Sequence, residues 1–361
     1  MRIPAQPRIL LAAAAAALAV ACGSVGQHAR QGGAAGGGPT SGQAGSNAVA
    51  TVVTRNLYLG AELGPAMAAR SDAEFLRATT AVWAMVRRND FRVRVRAIAN
   101  EIAAARADLV GLQEAYLWEL RPAGEGAFEP AYDYVDLLLS ALAARGLRYR
   151  VAASVTLFSF AAPIRTGETV RMTDHGVILA REDVRTAHAT GRVFTNLLPV
   201  NVLGHRIPVK RGFVSVEVER EGVRFEFASV HLEAYQQSIR TLQAQELAGA
   251  LDDRLPVILV GDLNSNPGTS GAAVLARAGL RDVWATLHPE QPGPTSPWPD
   301  DLSIAARPWL RDRIDAVLVR GPLTPVAATI VGTHASDRIG GLWPSDHAGV
   351  VATIRLDATD R

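Results

Sequence analysis

The chain has 361 residues, of which 48% are hydrophobic and 20% are charged, a composition typical of a soluble globular protein with a large core. Its 37 basic and 35 acidic residues nearly balance, so the total charge argues neither for nor against nucleic-acid binding. A single cysteine, Cys22, excludes an intrachain disulfide, and no Cys–His spacing is typical of structural zinc.

Residues 1–21 predict a signal peptide. Arg2 and Arg8 precede an apolar stretch that ends in small residues before Cys22, which is the order found in export signals. The stretch is too short to span a bilayer as a stable anchor. LAVAC resembles the lipobox of bacterial lipoproteins, in which the cysteine is lipidated after cleavage. Ala19 is a weaker match than leucine, so simple secretion is the alternative to a lipoprotein tethered at the cell surface or in the periplasm.

Residues 22–48 predict a flexible tether. They are rich in Gly, Ser, Ala and Gln and contain almost nothing apolar to bury. Removal of residues 1–21 takes away two of the basic residues and no acidic residue, which leaves 35 of each charge. Neither a linker nor an internal repeat interrupts the remaining sequence, so residues 49–361 are expected to form one domain.

Strand-like and helix-like segments alternate from Val49 onward. Period-2 alternation on both sides of EREG predicts a β-hairpin over 212–233, and apolar residues at helical spacing predict helices. The predicted strands cover 48–59, 108–115, 175–183, 256–264, 314–320, 326–332 and 348–356, and the predicted helices cover 91–107, 135–146, 236–251 and 269–278. Segments 57–90 and 285–311 are long for connectors. These elements predict an α/β fold in which two mixed, mostly antiparallel sheets lie face to face with helices outside.

Several apolar runs end in polar residues. VILVGDLN ends in Asp262 and Asn264, DLVGLQEA contains Glu114, and FASVHLEA contains His231. Turn chemistry alone also favours Asp and Asn at strand ends. Because the end of one strand lies beside the start of its antiparallel neighbour, these side chains can meet at one rim of the core.

Two later strands begin beside further polar groups. Asp315 lies at the start of the strand IDAVLVR, and Asp346 and His347 precede the strand AGVVATIRL. Alternation places Asp315 on the inward face with Val317, where a carboxylate is costly unless it is paired. A histidine held by an aspartate is the arrangement of a general base. We therefore predict that Asp315 orients His347, and that His231 faces the reaction from the opposite side.

The predicted rim carries the carboxylates of Glu114, Asp262, Asp315 and Asp346. Like charges in such proximity raise one another's pKa values or require a cation. Carboxylates and amides, with few candidate soft ligands, suit a hard ion, so Mg²⁺ is expected first and Mn²⁺ or Ca²⁺ next.

In chain order, TRNLYLG, LQE, SVHLE, GDLNS, RID and SDH resemble the motifs of the endonuclease/exonuclease/phosphatase superfamily. This superfamily includes pancreatic-type deoxyribonuclease, abasic-site endonucleases, bacterial sphingomyelinases and inositol-polyphosphate phosphatases. The resemblance covers about residues 50–356. It implies a four-layer αββα sandwich over 49–361 that cleaves phosphoesters with a divalent cation. It also implies metal ligands at Glu114, Asn56 and Asp346.

The same resemblance implies the catalytic residues. His347, oriented by Asp315, takes a proton from the attacking water. Asp262 and Asn264 align the water and the phosphate. His231 stabilises developing charge or protonates the leaving oxygen. Metal and hydrogen-bond donors are expected to supply the largest catalytic contribution.

Two departures indicate which branch of the superfamily the chain resembles. Tyr58 stands where abasic endonucleases have an acidic residue, and His231 stands where they have a tyrosine. His231 is similar instead to the deoxyribonuclease and sphingomyelinase branches. The expected activity is a phosphodiesterase acting on nucleic acid or phospholipid, with a phosphomonoesterase or a non-catalytic binding protein as alternatives. No protein partner is implied.

Two features are left open by the sequence. Asp174 and His175 precede an apolar strand and either reach the site or belong to a surface turn. The arginines between 87 and 96 form either a solvated helix face or a phosphate-binding surface.

Overall fold

A computed structural model describes residues 48–124, 126–306 and 310–357. The predicted signal peptide and the predicted tether, apart from Ala48, lie outside these residues. Export, lipidation of Cys22 and the domain boundaries therefore remain predictions.

The described residues contain both strands and helices. The strands are β1 (Val49–Asn56), β2 (Leu109–Gln113), β3 (Leu117–Arg121), β4 (Glu129–Asp133), β5 (Tyr149–Pro163), β6 (Thr169–Arg181), β7 (Arg185–Val193), β8 (Leu198–Val202), β9 (His205–Val209), β10 (Gly212–Arg220), β11 (Val223–His231), β12 (Val257–Asp262), β13 (Arg281–Asp282), β14 (Asp315–Arg320), β15 (Leu323–Val331) and β16 (Gly349–Leu356). The helices are α1 (Gly64–Met67), α2 (Asp72–Arg88), α3 (Phe91–Ala105), α4 (Tyr134–Ala143), α5 (Gln237–Ala250), α6 (Ser270–Arg277) and α7 (Val283–Leu287), with a 3-10 turn at Ala335–Asp337.

The first sheet joins the two ends of the domain. β1 pairs antiparallel with β16 and parallel with β2, and β16 pairs in turn with β15. β6 pairs with β2 and β3 along one edge and with the long β5 along the other. β4 extends the sheet beyond β3.

The second sheet has the order β13–β14–β12–β11–β10–β7. The predicted hairpin is β10–β11, and β12 runs parallel to β11 and antiparallel to β14. β8 and β9 form a separate two-stranded sheet. Both large sheets are therefore mixed, as predicted.

Alternation along the strands divides the apolar side chains among three layers of core. Val52 and Ile258 pack between the two sheets. Val53, one residue away from Val52, packs outward against α2, α3 and α4. Leu259, one residue after Ile258, packs outward against α5 and α6. This order of helices, sheet, sheet and helices confirms the predicted α/β sandwich.

Two glycines permit the close approach of strands near the site. A Cβ atom on Gly111 in β2 would lie 2.4 Å from Val260 Cγ2 of the facing sheet. Gly261 in β12 has φ +149°, and a Cβ there would lie 2.1 Å from the Val230 carbonyl oxygen. A side chain at either position would push apart the strands that end in the candidate site residues.

The interpretation of 57–90 as a connector was wrong, because this segment contains α1 and α2. Ser71 caps α2 by accepting a hydrogen bond from the Glu74 amide. Trp83 on the inner face of α2 packs against Trp118, with ring centroids 6.0 Å apart.

Within the described part of the chain, no helix has both the length and the apolar character needed to cross a membrane.

Candidate active site

The register of the second sheet brings three predicted site residues into one row. His231 ends β11 and pairs with Asp262 at the end of the parallel strand β12. Asp262 pairs on its other side with Asp315, which begins the antiparallel strand β14. The three side chains are buried. Strand pairing thus places at one rim three residues that are far apart in the sequence.

His347 completes this row from the loop before β16. Its Nδ1 lies 2.8 Å from Asp315 Oδ2 and 3.9 Å from Asp262 Oδ2. Burial lowers the pKa of His347, but the carboxylates of Asp315, Asp346 and Asp262 outweigh it and hold this pKa well above its usual value. Asp315 therefore fixes the Nδ1–H tautomer, which leaves Nε2 as the nitrogen that exchanges a proton with a substrate group.

Asn56 connects the two sheets at the rim. Its Oδ1 accepts a hydrogen bond from the Tyr58 amide, which assigns the orientation of the side-chain amide. Its Nδ2 then donates to Glu114 Oε1 at 3.2 Å and to Asp262 Oδ2 at 3.1 Å. Glu114 Oε2 accepts from the Leu59 amide at 2.8 Å. Asn56 thus holds two carboxylates at a common position.

Asp346 adds a further carboxylate beside this group. Ser345 Oγ donates to the Asn56 carbonyl at 2.8 Å and lies 3.3 Å from Asp346 Oδ1, which ties the last loop to the end of β1. Burial raises the pKa of Asp346 to about 7, and Glu114 adds to the rise. Burial likewise raises the pKa of Asp262 to about 7, with Asp315 and Glu114 contributing. These acids take up protons readily because they lie close together and largely out of water.

Asn264 occupies the turn that follows β12. Its amide donates to Asp262 Oδ1 at 2.9 Å, the local bond expected from turn chemistry. Its φ is +46°, in the left-handed region that Asn tolerates. Its Nδ2 donates to the Leu232 carbonyl at 3.0 Å, and Arg240 donates to its carbonyl oxygen. The turn preference and a place in the site therefore coexist at this residue.

His231 is held by a buried ion pair. Arg211 Nη1 donates toward His231 Nδ1 at 3.3 Å and lies 3.6 Å from Asp174 Oδ2. An arginine only donates, so Nδ1 of His231 is the acceptor and Nε2 carries the proton. Nε2 lies 3.5 Å from Asp262 Oδ2. Burial lowers the pKa of His231 well below its usual value, and the charge of Arg211 lowers it further. His231 is therefore a neutral hydrogen-bond donor.

The sequence left open whether Asp174 and His175 reach the site or belong to a surface turn. The structure places Asp174 at the site and directs His175 elsewhere. Asp174 is fully buried, lines the same cavity as Glu114 and His231, and has its pKa raised to about 7 by burial. His175 Nδ1 instead lies 3.1 Å from the Ala115 carbonyl oxygen. The arginines between 87 and 96 do not form one surface. Arg94 is fully buried, whereas Arg92 and Arg96 are exposed.

The chemistry of the donors fits a divalent cation with oxygen ligands. Asp262, Asp315 and His347 offer ligand atoms within 4.8 Å of one another. His347 Nδ1 is directed at Asp315, however, so this trio is better suited to proton transfer than to metal binding. Glu114 and Asp346 supply further carboxylates in the same cavity. This excess of carboxylates favours a hard cation.

The sequence profile of the Endonuclease/Exonuclease/phosphatase family matches residues 84–347. The match covers more than half of the chain and includes Glu114, Asp262 and His347. The chain belongs to the Endonuclease/Exonuclease/phosphatase family. This result confirms the resemblance drawn from the six motifs. The family consists of phosphoester hydrolases that depend on a divalent metal, and the mixed sheets and the acidic site described above agree with that class. No curated protein sequence matches the chain significantly.

Solved structures of this family share the fold. A Bacteroides thetaiotaomicron family protein is 17% identical, covers 88% of this chain and 100% of its own, and has a TM-score of 0.53. A Beutenbergia cavernae family protein is 20% identical, covers 86% and 72%, and has a TM-score of 0.53. Danio rerio TDP2 complexed with single-strand DNA product is 19% identical, covers 85% and 98%, and has a TM-score of 0.51. At these identities the likeness shows the fold alone.

The sequence analysis did not identify Arg211 as a residue of the site. Arg211 directly precedes Gly212, and Gly212 pairs with His231 in the β10–β11 hairpin. Because that hairpin was predicted, its register already placed residue 211 beside His231. The composition of PVKRGF by itself carries no such signal.

Proposed function

We propose that the chain is an exported, divalent-metal-dependent phosphodiesterase. The observation that carries this proposal is the hydrogen-bonded Asp315–His347 pair beside Asp262, which is itself joined to Glu114 through Asn56. A general base and a carboxylate cluster in one cavity are the two parts that metal-assisted phosphoester hydrolysis requires.

His347 is proposed to act as the base. Asp315 holds Nδ1, so Nε2 in its unprotonated form accepts a proton from the water that attacks phosphorus. The raised pKa of His347 makes Nε2 a strong base, and its unprotonated fraction grows as the pH rises. The new bond joins the water oxygen to phosphorus, and the bond from phosphorus to the leaving oxygen breaks. The leaving oxygen takes its proton from solvent. Asp262 and Asn264 border the same cavity, where they align the water and the phosphate.

Glu114 and Asp346 are proposed to hold the cation, with Asn56 as ligand or as the donor that orients Glu114. When bound, the ion offsets the carboxylate charges and polarises the phosphoryl group. Mg²⁺ is proposed first, with Mn²⁺ or Ca²⁺ as alternatives, because all three prefer oxygen ligands.

His231 is proposed to stabilise charge on a phosphoryl oxygen. A neutral imidazole that gave up its Nε2 proton would become an anion, which is a poor product beside Asp262. The hydrogen bond from Arg211 keeps His231 in the neutral form that donates through Nε2. This supports charge stabilisation over protonation of the leaving oxygen. A histidine at this position also supports the deoxyribonuclease and sphingomyelinase branch.

A diester is proposed rather than a monoester because the site is rich in carboxylates. A phosphodiester carries one negative charge, whereas a phosphomonoester carries about one and a half to two at neutral pH. The cavity is lined by Glu114, Asp174, Asp262 and Asp346, so it disfavours the more highly charged substrate. Nucleic acids and phospholipids are both phosphodiesters, and the DNA product bound to Danio rerio TDP2 supports the former as a candidate substrate.

Export is proposed from residues 1–21, and a lipid anchor is proposed on Cys22, with secretion as the alternative. The basic start, the apolar stretch and LAVAC support this assignment. Metabolic labelling with a radioactive fatty acid tests it in a bacterial host that processes lipoproteins. Label on the full chain but not on Cys22→Ser supports the anchor, and label on neither contradicts it.

Hydrolysis of bis(4-nitrophenyl) phosphate tests the enzymatic proposal. The purified domain is expected to cleave this diester faster than 4-nitrophenyl phosphate, to lose activity with EDTA, and to regain it with Mg²⁺. His347→Ala is expected to lower kcat about 100-fold or more. The matched control is His334→Ala, an exposed histidine that directly precedes the 3-10 turn. Activity that survives EDTA would contradict the metal, and equal loss in both variants would contradict the base.

A further inference from the structure

The cavity at the active site continues into an apolar space. The whole cavity has a volume of about 290 Å³, close to the lower end of the range for small-molecule sites. One part is lined by Glu114, His231, Asp262 and His347. The other part, called the apolar chamber below, is lined by Phe75, Phe158, Phe160, Met172, Val202 and Ile207.

Two polar side chains that border the apolar chamber, Thr79 and Trp118, are bonded within the protein. Asp174 and Lys210 add charged groups to the lining of the same cavity. Thr79 lies one turn after Phe75, and its hydroxyl donates to the Pro163 carbonyl at 2.7 Å. Trp118 Nε1 donates to the Leu59 carbonyl at 3.0 Å. A ligand group placed among the six side chains of the apolar chamber therefore meets hydrocarbon and aromatic rings, and a polar group among them would lose its water without gaining a partner from them.

A hairpin outside the two large sheets forms one wall of the apolar chamber. Val200 of β8 pairs with Ile207 of β9, and both line the cavity. Asn201 and Arg206 lie at alternate positions and are exposed. A two-stranded sheet is marginal by itself, and this one packs its apolar face on Ala66 and Phe75 beside the chamber. The hairpin thus presents apolar side chains to a space that the protein leaves open.

We propose that the apolar chamber binds one hydrocarbon chain of the substrate, so that the substrate is an amphiphilic phosphodiester. This inference rests on the proposed function, because it places the phosphate beside Asp262 and His231 in the same cavity. An alkyl or acyl chain fits the chamber because it needs no hydrogen bonds. A nucleobase fits it poorly, since each base carries several donors and acceptors on its edges.

Chain length in a series of synthetic diesters tests this inference. The substrates are 4-nitrophenyl alkyl phosphates with methyl, butyl, hexyl and octyl chains, each used below its critical micelle concentration and with saturating Mg²⁺. Burial of each methylene group is expected to raise kcat/KM about fourfold until the chamber is full. The measured quantity is the ratio of kcat/KM for the octyl ester to kcat/KM for the methyl ester. A change that lowers both values by the same factor leaves this ratio unchanged.

Val202→Trp fills the apolar chamber and is expected to lower this ratio at least tenfold. Asn201→Trp is the matched control, because it adds the same ring on the exposed face of the same strand, and its ratio is expected to equal that of the wild type. Ile207→Trp repeats the test from the other strand, with Arg206→Trp as its control. Circular dichroism and thermal melting identify any variant that fails to fold.

The outcomes separate the inference from the proposed function. If the methyl ester is cleaved efficiently and the octyl-to-methyl ratio of kcat/KM is close to one, the apolar chamber does not bind an alkyl chain. The proposed phosphodiesterase function is unaffected by that result. The inference is also overturned if Val202→Trp lowers the cleavage of an oligonucleotide by as large a factor as it lowers the cleavage of the octyl ester. If no ester is cleaved, the proposed function fails, and calorimetry decides the inference. Octyl phosphate binding far more tightly than methyl phosphate then supports the chain site, and equal binding overturns it.

Discussion

Asp262 and Asp315 lie directly opposite each other in neighbouring antiparallel strands, and both are buried. Burial raises the pKa of Asp262 to about 7, and the charge of Asp315 contributes to the rise. His347 hydrogen-bonds to Asp315 and lies 3.9 Å from Asp262. The site thus gathers negative charge where the proposed cation and phosphate meet, at a cost to the stability of the fold.

Asp262→Asn is expected to lower activity while raising the stability of the metal-free protein. The amide cannot replace the carboxylate, so kcat is expected to fall about 100-fold or more. The raised pKa of Asp262 means that the folded protein binds a proton more tightly than the unfolded chain does. Stability with EDTA therefore decreases as pH rises from about 4 to about 7, and the variant is expected to lose less over this range.

Thermal melting at pH 5 and pH 8 with EDTA measures this difference. The variant is expected to melt at the higher temperature at pH 8, by a few degrees. A variant that melts lower than the wild type at pH 8 would show that Asp262 stabilises the fold and would contradict the charge argument.

Glu114→Gln is expected to weaken the binding of Mn²⁺ at least tenfold, because it removes a charged oxygen ligand from the proposed cation site. Isothermal calorimetry of Mn²⁺ binding measures the dissociation constant. Glu290→Gln, an exposed glutamate outside the site, is the matched control. Unchanged affinity in Glu114→Gln would remove Glu114 from the metal site.

Arg211→Met is expected to act on both stability and catalysis. It leaves Asp174 buried without its cation, which costs about 3–5 kcal/mol when Asp174 is ionised. Since the pKa of Asp174 is about 7 even with Arg211 present, the folded variant holds Asp174 protonated at pH 6. The free energy of unfolding is therefore expected to fall more at pH 8 than at pH 6.

The double variant Asp174→Asn/Arg211→Met separates the two effects. It is expected to recover stability at pH 8, because no buried charge remains. It is expected to keep a low kcat, because His231 still lacks the donor that fixes its tautomer. Urea unfolding and diester hydrolysis provide the two measurements, and full recovery of kcat would show that Arg211 does not position His231.

Arg94→Met is expected to lower the free energy of unfolding by about 3 kcal/mol or more, because it leaves several buried carbonyls without a donor. Arg94 donates to the carbonyls of Leu57, Asn89 and Pro344 at 2.6–2.8 Å. These bonds join the segment after Asn56 to the loop that carries His347, so activity is expected to fall as well. Arg96→Met, an exposed arginine on the same helix, is expected to change stability by less than about 0.5 kcal/mol. Equal effects in chemical denaturation would contradict this role.

Many strands of the core were predictable from the sequence. They show either a period-2 alternation of apolar residues or an apolar run that ends in turn-forming residues. VILVGDLN is β12, and the strict alternation around EREG is the β10–β11 hairpin. The α/β sandwich followed from these runs, since two buried faces per strand require layers on both sides. β3, β4, β5, β7, β8, β9 and β13 were not predicted. β7 has no buried position, and β5 buries only Tyr149, Ala153, Leu157 and Ala162, so neither shows the period-2 pattern of a strand that packs one face on the core.

The sequence by itself determined which residue types stand at the strand ends, because alternation and turn preferences act over a few residues. Only the tertiary structure decided which of them meet. Strand register put His231, Asp262 and Asp315 in one row. Burial turned Arg94 from an expected surface charge into a link between loops. The apolar chamber also depends on the fold, since α2, β5, β6 and the β8–β9 hairpin each supply part of its wall, and no local pattern encodes their convergence.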